Sequence, residues 1–306
     1  MSDPSPNHGR TALLINARSR KGGATQPIVV EALGRHGLTL DRVVRVRKPA
    51  HLPSAIDALV DWGVERLIVG GGDGTLSTVA PRLARRDILL GVIPMGTAND
   101  FARTLGIPFR PAAAAELAAS NSIRAIDLAQ ANDQFFLNVA SIGMSVSAAD
   151  ALTWRVKQQF GTLAYLYAGA RVFARHLTFL ARLEVGTEVI EARAHQIVVG
   201  NGRYYGGGVL VSRQSTLDDG LLAAYALGTR GRWHLLRTMA MLRFRVPIDR
   251  PGDFYVATPS LRVETTPGMK VNLDGEIRTT TPVEFKVVPG ALRVLAPTPP
   301  AGAGRS

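Results

Sequence analysis

The sequence predicts an α/β domain on a parallel sheet, followed by a second, mainly β domain of antiparallel, sandwich-like build. Three observations carry that expectation. Over residues 11–130 short apolar runs alternate with helix-like segments, the βαβα order of a sheet with helices on both faces. Past residue 130, short strand-like runs separated by Gly, Pro and Asp turns take over, as in antiparallel sandwiches. Two glycine-rich turns, 70–75 and 96–97, fall at strand ends of the first half, where parallel sheets bind ligands.

Residues 1–10, polar and Pro-rich, read as a disordered tip. The strands of the first domain, 11–130, are TALLIN (11–16), RVVRVR (42–47), RLIVG (66–70) and ILLGVI (88–93). Helices are expected near 24–36, 51–62, 75–86, 98–105 and 111–119. The β-rich second domain, 131–290, holds QFFLNVA, HQIVVGN, LLAAYAL, LRVETT, MKVNLDG and VEFKVV as strands, with basic-apolar helices over 146–176 and 231–244. ALRVLAP supplies a last strand, 291–297, returning to the first domain, and 298–306 is a disordered tail.

Composition narrows the chemistry. The chain of 306 residues has no cysteine, which excludes disulfides, thiolate nucleophiles, Fe–S clusters and cysteine zinc sites. Its six histidines are scattered without a metal-binding spacing. A net charge of +12 suits a polyanionic partner such as nucleotide phosphates or an anionic membrane face, and no specific nucleic acid is expected. No secretory signal or spanning segment stands out, so a cytoplasmic location, peripheral at the inner face of the membrane, is expected.

LIVGGGDGTLSTVA (67–80) is a strand, a bare turn and a helix start. Backbone N–H groups at a helix N-terminus bind anions, and glycines let phosphate oxygens approach them closely. Gly71, Gly72 and Gly74 fill that role, Thr75 caps the helix or bonds a phosphate, and Asp73 fits a base, a metal-water ligand or a loop anchor. The spelling is neither G-x-G-x-x-G nor G-x-x-x-x-G-K-[ST]. LLGVIPMGTANDFART (89–104) repeats the design, with Gly96 in the turn and a helix expected from Thr97, which puts Asn99 and Asp100 in its first turn.

With GGDGT and GTANDFAR both intact, the sequence resembles the diacylglycerol kinase catalytic-domain family of lipid kinases, related to the sphingosine and ceramide kinases. INARSRKGG (15–23) resembles the family's first nucleotide loop, with Ala17 where proline is usual. IDLAQANDQFFLNVASIGMSV (126–146), GTLAYL (161–166), VVGNGRYYGGGVLVSRQSTLDDGLL (198–222) and NLDGE (272–276) continue the likeness. Arg213 and Ser215 depart from a Pro-x-Ala element, and Arg47 stands where a threonine commonly ends the second strand.

The resemblance implies an ATP- and Mg²⁺-dependent kinase that phosphorylates a lipid hydroxyl, diacylglycerol for example, at an anionic membrane surface; a homodimer is allowed. It implies ATP contacts from Asn16, Arg20, Lys21, Arg47, Gly71, Gly72, Asp73, Gly74, Thr75, Gly96, Thr97, Asn99 and Asp100. It offers Glu276, with Asp274 beside it, or alternatively Asp73, as the proton acceptor. It also implies a structural Mg²⁺ on the Asp219 carboxylate, with Thr216 and Leu221 giving main-chain oxygen. An NAD kinase-like soluble kinase and a non-catalytic nucleotide or lipid sensor are the rival readings.

Overall fold

The computed structural model describes residues 9–17, 22–143, 178–205, 209–210, 215–227 and 254–298. The expected helices 146–176 and 231–244, together with Arg20, Lys21 and Arg213, lie outside the described residues.

In the first domain β1 (Thr11–Asn16), β2 (Arg42–Val46), β3 (Arg66–Gly71) and β4 (Leu89–Pro94) pair in parallel in the order β2-β1-β3-β4. β1, β3 and β4 are buried nearly end to end, as strands covered on both faces must be. The helices are α1 (Gly22–Arg35), α2 (Leu52–Asp61), α3 (Asp73–Leu83), α4 (Asp100–Leu105) and α5 (Pro111–Ala119). α2 presents Leu52, Ile56 and Leu59 to the core at helical spacing. Since β1 lies between β2 and β3, the strand order reverses beside it, and the crevice at the tips of β1 and β3 is where such sheets take ligands.

α4 begins at Asp100, not at Thr97. Asn99 is its N-cap in the left-handed region (φ 51°), a conformation that Asn tolerates and that cannot continue a helix backwards.

The remaining strands are β5 (Ile123–Ala131), β6 (Gln134–Phe136), β7 (Val139–Gly143), β8 (Phe179–Val185), β9 (Glu188–Ala194), β10 (Gln196–Gly200), β11 (Tyr204–Tyr205), β12 (Val209–Leu210), β13 (Leu222–Leu227), β14 (Phe254–Thr258), β15 (Ser260–Thr266), β16 (Lys270–Leu273), β17 (Glu276–Thr280) and β18 (Val283–Leu295). QFFLNVA is therefore two strands, broken at Leu137–Asn138, and VEFKVV and ALRVLAP are one. β18 is antiparallel to β15 near its start, antiparallel to β5 along its length and parallel to β4 at Arg293–Val294, so one sheet of ten strands runs through both halves of the chain.

A six-stranded antiparallel sheet, β14-β13-β10-β7-β16-β17, completes the second half. Alternate residues of the two sheets, such as Ala181 and Leu183 of β8 and Ile197 and Val199 of β10, share one apolar core, the period-2 signature of a sandwich. Phe136 meets Phe285 edge to face within it, centroids 6.1 Å apart.

Candidate functional site

The two glycine-rich turns touch. β3 and β4 run in register with Gly71 opposite Pro94, and Met95 N–H donates to the Gly71 carbonyl at 2.9 Å. A Cβ on Gly72 would lie 2.8 Å from Gly96 Cα, and one on Gly96 would lie 2.6 Å from Gly72 Cα. Gly72 is thus bare because Gly96 occupies the space its side chain would need. The residue that keeps open space is Gly74, where an added Cβ would meet nothing within 4 Å.

Short side-chain contacts fix this frame. Asn99 Oδ1 accepts from Gly96 N–H at 2.8 Å and its Nδ2 donates to the Gly96 carbonyl at 3.0 Å, so Asn99 holds the second turn closed. Asp73 Oδ1 accepts from Phe101 N–H at 3.1 Å, tying the start of α3 to the start of α4. Asn16 Nδ2 donates to Thr75 Oγ1 at 2.9 Å and ties the tip of β1 to the first turn of α3. Gly72 caps α3 with no side-chain acceptor, so the first amides of this eleven-residue helix are open to an anion.

The expected nucleotide set divides accordingly. Gly71, Gly72, Asp73, Gly74, Thr75, Gly96, Asn99 and Asn16 come together at neighbouring strand tips. Thr97 is exposed on the second turn, whereas Asp100 is buried at 3 % exposure under it. Arg47 is exposed beyond the edge strand β2, with β1 between it and the turns at the end of β3.

The second half faces this frame with the turn between β16 and β17. Asp274 (φ 50°) and Gly275 (φ 98°) are both left-handed, which reverses the chain in two residues. Asp274 accepts three main-chain N–H groups, from Leu137 at 2.6 Å, Asn138 at 2.8 Å and Val139 at 3.1 Å, and its own N–H donates to the Val139 carbonyl. Those donors explain why QFFLNVA breaks there. Burial pushes the Asp274 carboxyl up, the three amides oppose the rise, and the charge of Asp73 across the cleft adds to it. A carboxylate with its lone pairs turned to three amides anchors the turn. Glu276, the next side chain, stands 64 % exposed and pairs with Arg278 Nη2 at 2.9 Å.

A chain of hydrogen bonds joins this turn to the acidic segment 216–221. Asn201, only 1 % exposed, donates through Nδ2 to the carbonyls of Leu137 and Asp127, and its N–H donates to the Asn138 carbonyl. Asp127 accepts from Gly220 N–H at 2.8 Å and from Gly290 N–H, in the bulge of β18, at 2.9 Å. Sequence reasoning gave Asp127 and Asn201 no role, although both lie in stretches, 126–146 and 198–222, that carry the family resemblance.

The residues expected to hold Mg²⁺ fit a hard cation in one respect and differ in another. The Asp219 carboxylate accepts the N–H groups of Thr216 at 2.8 Å and Leu221 at 2.9 Å, so amides rather than carbonyls of those residues meet it. Although the residue is exposed, its carboxyl end tucks under the turn. Burial raises its pKa first, the two amides oppose, and the charges of Asp127 and Asp218 raise it further. Asp218 is held low, burial being outweighed by Arg124, whose Nη2 lies 2.7 Å from its carboxylate. Negative charge at Asp127 and Asp219 thus exceeds what Arg124 offsets, the condition a hydrated Mg²⁺ on one or two carboxylates exploits. Among the described residues no three acidic or histidine side chains converge as a metal cage.

Comparison with known proteins agrees with this architecture. Residues 10–131 match the diacylglycerol kinase catalytic domain, and 138–296 match the YegS C-terminal NAD kinase beta sandwich-like domain. A Pseudomonas aeruginosa protein described as "Probable lipid kinase YegS-like" is 37% identical over 237 residues, 77% of this chain and 78% of that one. The chain belongs to the diacylglycerol kinase catalytic-domain family. A diacylglycerol kinase of Mycobacterium tuberculosis is 31% identical over 300 residues, 94% of this chain and 96% of its own. The crystal structure of a Bacillus anthracis diacylglycerol kinase superposes with a TM-score of 0.77 at 25% identity, covering 96% of this chain and 98% of that one. Among the described residues no helix of this family member is long and apolar enough to cross a membrane.

Proposed function

We propose that the protein is an ATP-dependent lipid kinase that transfers the γ-phosphoryl group to a free lipid hydroxyl, with diacylglycerol the first candidate acceptor. The observation that supports this best is the apposition of Gly72 and Gly96, which sets the open start of α3 beside the second glycine turn at the sheet's ligand-binding edge. Phosphoryl transfer needs positioning and charge neutralisation more than covalent help from the protein. The open amides of α3 and the space beside Gly74 suit the phosphates. Glu276, exposed on its turn, suits removal of the hydroxyl proton, with Asp73 as the other carboxylate of the cleft. Mg²⁺ would neutralise the phosphate charge in transfer, and a second, structural ion suits Asp219.

The +12 charge supports work at an anionic membrane surface. The test is transfer of radiolabel from ATP to lipids in vesicles of graded anionic content, with free NAD as a separate acceptor. Labelled lipid, with a rate that rises with anionic fraction and falls with salt, is expected. Labelled NAD without labelled lipid would replace this reading by that of a soluble kinase, and no labelled product in any arm would favour a sensor.

The acidic turn yields a pH prediction. Because the folded state raises the pKa of Asp219 above its unfolded value, ionising it costs stability as pH rises past the ordinary carboxylate range. A cation there relieves that cost only once the carboxylate is charged. Millimolar Mg²⁺ should therefore raise Tm near neutral pH and have little effect below about pH 4; the increment should vanish in Asp219→Asn. An equal increment in that variant would remove the ion from this turn.

A further inference from the structure

The side chain offered as proton acceptor has little to hold it. Glu276 opens β17, an edge strand, with a 64 % exposed side chain, and a Cβ on the preceding Gly275 would meet nothing within 4 Å. A glutamate so placed samples several rotamers, and fixing one costs side-chain entropy. One described group meets its carboxylate: Arg278 Nη2 donates to Oε2 at 2.9 Å. Residues 276 and 278 project from the same face of the strand, and the Arg278 side chain is the more enclosed of the two, at 25 % exposure.

We infer that Arg278 is the positioning residue for Glu276, fixing where its carboxylate waits for the acceptor hydroxyl. The inference rests on the lipid-kinase reading and on Glu276 as its base. An exposed pair of this kind adds little to stability, so its consequence lies in orientation and not in holding the fold. Orientation matters because proton removal requires the carboxylate within hydrogen-bond reach of the hydroxyl. The contact uses a single N–H, which an ammonium group can replace.

Four variants, assayed with radiolabelled ATP and vesicle lipid, test it. Arg278→Met should lower kcat about 10–100-fold, a loss on the scale of misplacing a reacting group. Its KM for ATP should stay within about twofold, because Arg278 acts through Glu276 and not through the nucleotide. Arg278→Lys should recover most of the loss. Arg278→Met made on top of Glu276→Gln should lower the residual rate no further, since residues acting as a unit are non-additive.

A parental kcat in Arg278→Met, or a further fall in the double variant, would overturn the inference while leaving the kinase reading intact. Near-parental turnover in Glu276→Gln would instead overturn the assignment of the base on which it rests.

Discussion

Glu276→Gln should cut the turnover of lipid phosphorylation by about 10²–10⁴-fold, the usual worth of a positioned acid or base. Its affinity for ATP and its Tm should hardly change. The side chain is exposed and its one described partner is Arg278, so an amide of the same shape disturbs neither core nor backbone. Asp73 gives the needed contrast. Its carboxylate accepts Phe101 N–H and thereby joins α3 to α4, a bond that the amide oxygen of an Asp73→Asn variant could keep. If both variants fold and bind ATP, the one that loses turnover identifies the proton acceptor. Near-parental turnover in Glu276→Gln with a collapse in Asp73→Asn would move the role to Asp73; measured kcat, with KM for ATP and Tm as controls, decides it.

How much of this could be read from the sequence varies with the range of the interactions concerned. Strands β1, β3 and β4 and the helix at 111–119 are legible because apolar period and turn residues are local properties. The nucleotide turns are legible for the same reason. What escapes is whatever a distant partner decides. The β8–β9 hairpin, FLARLEV and EVIEARA with Gly186 between, has the period-2 pattern of a strand pair, but apolar residues such as Leu180 and Val189 on its exposed face blur the alternation. The break in QFFLNVA is imposed by Asp274, more than a hundred residues later in the chain, and no local signal announces it. β18 looks like two strands because Pro289 and Gly290 read as a turn; Asp127 instead holds Gly290 in a bulge that lets the strand pass between the two halves. That a second glycine occupies the space a Gly72 side chain would need is likewise a fact of packing, invisible in the local sequence.

That packing separates two glycines that look equivalent in GGDGT. Gly72→Ala should lower both stability and ATP affinity. Its methyl group would meet Gly96 Cα at 2.8 Å, a main-chain atom pinned on both sides by Asn99, so the two turns must part. Forcing a carbon into such a contact costs about 1–3 kcal/mol, a fall of roughly 1.5–5 °C in Tm for a chain of this size, and the parted turns should hold ATP at least about tenfold more weakly, or about 1.4 kcal/mol. Gly74→Ala should do the opposite to stability. Gly74 sits in the first turn of α3 with open space before it, so alanine removes backbone entropy from the unfolded chain and leaves Tm level or raised by about 0.5–1 kcal/mol worth of helix propensity. Its methyl group nevertheless stands where a phosphate would approach the helix amides, so ATP affinity should fall while stability does not. Calorimetric titration with a non-hydrolysable nucleotide beside thermal unfolding reads both quantities. The two variants then form a signature: stability and affinity fall together at 72 and part company at 74. An unchanged dissociation constant in Gly74→Ala would mean that the triphosphate does not rest on the start of α3, and the case for a kinase cleft between these two turns would have to be rebuilt from a different nucleotide position.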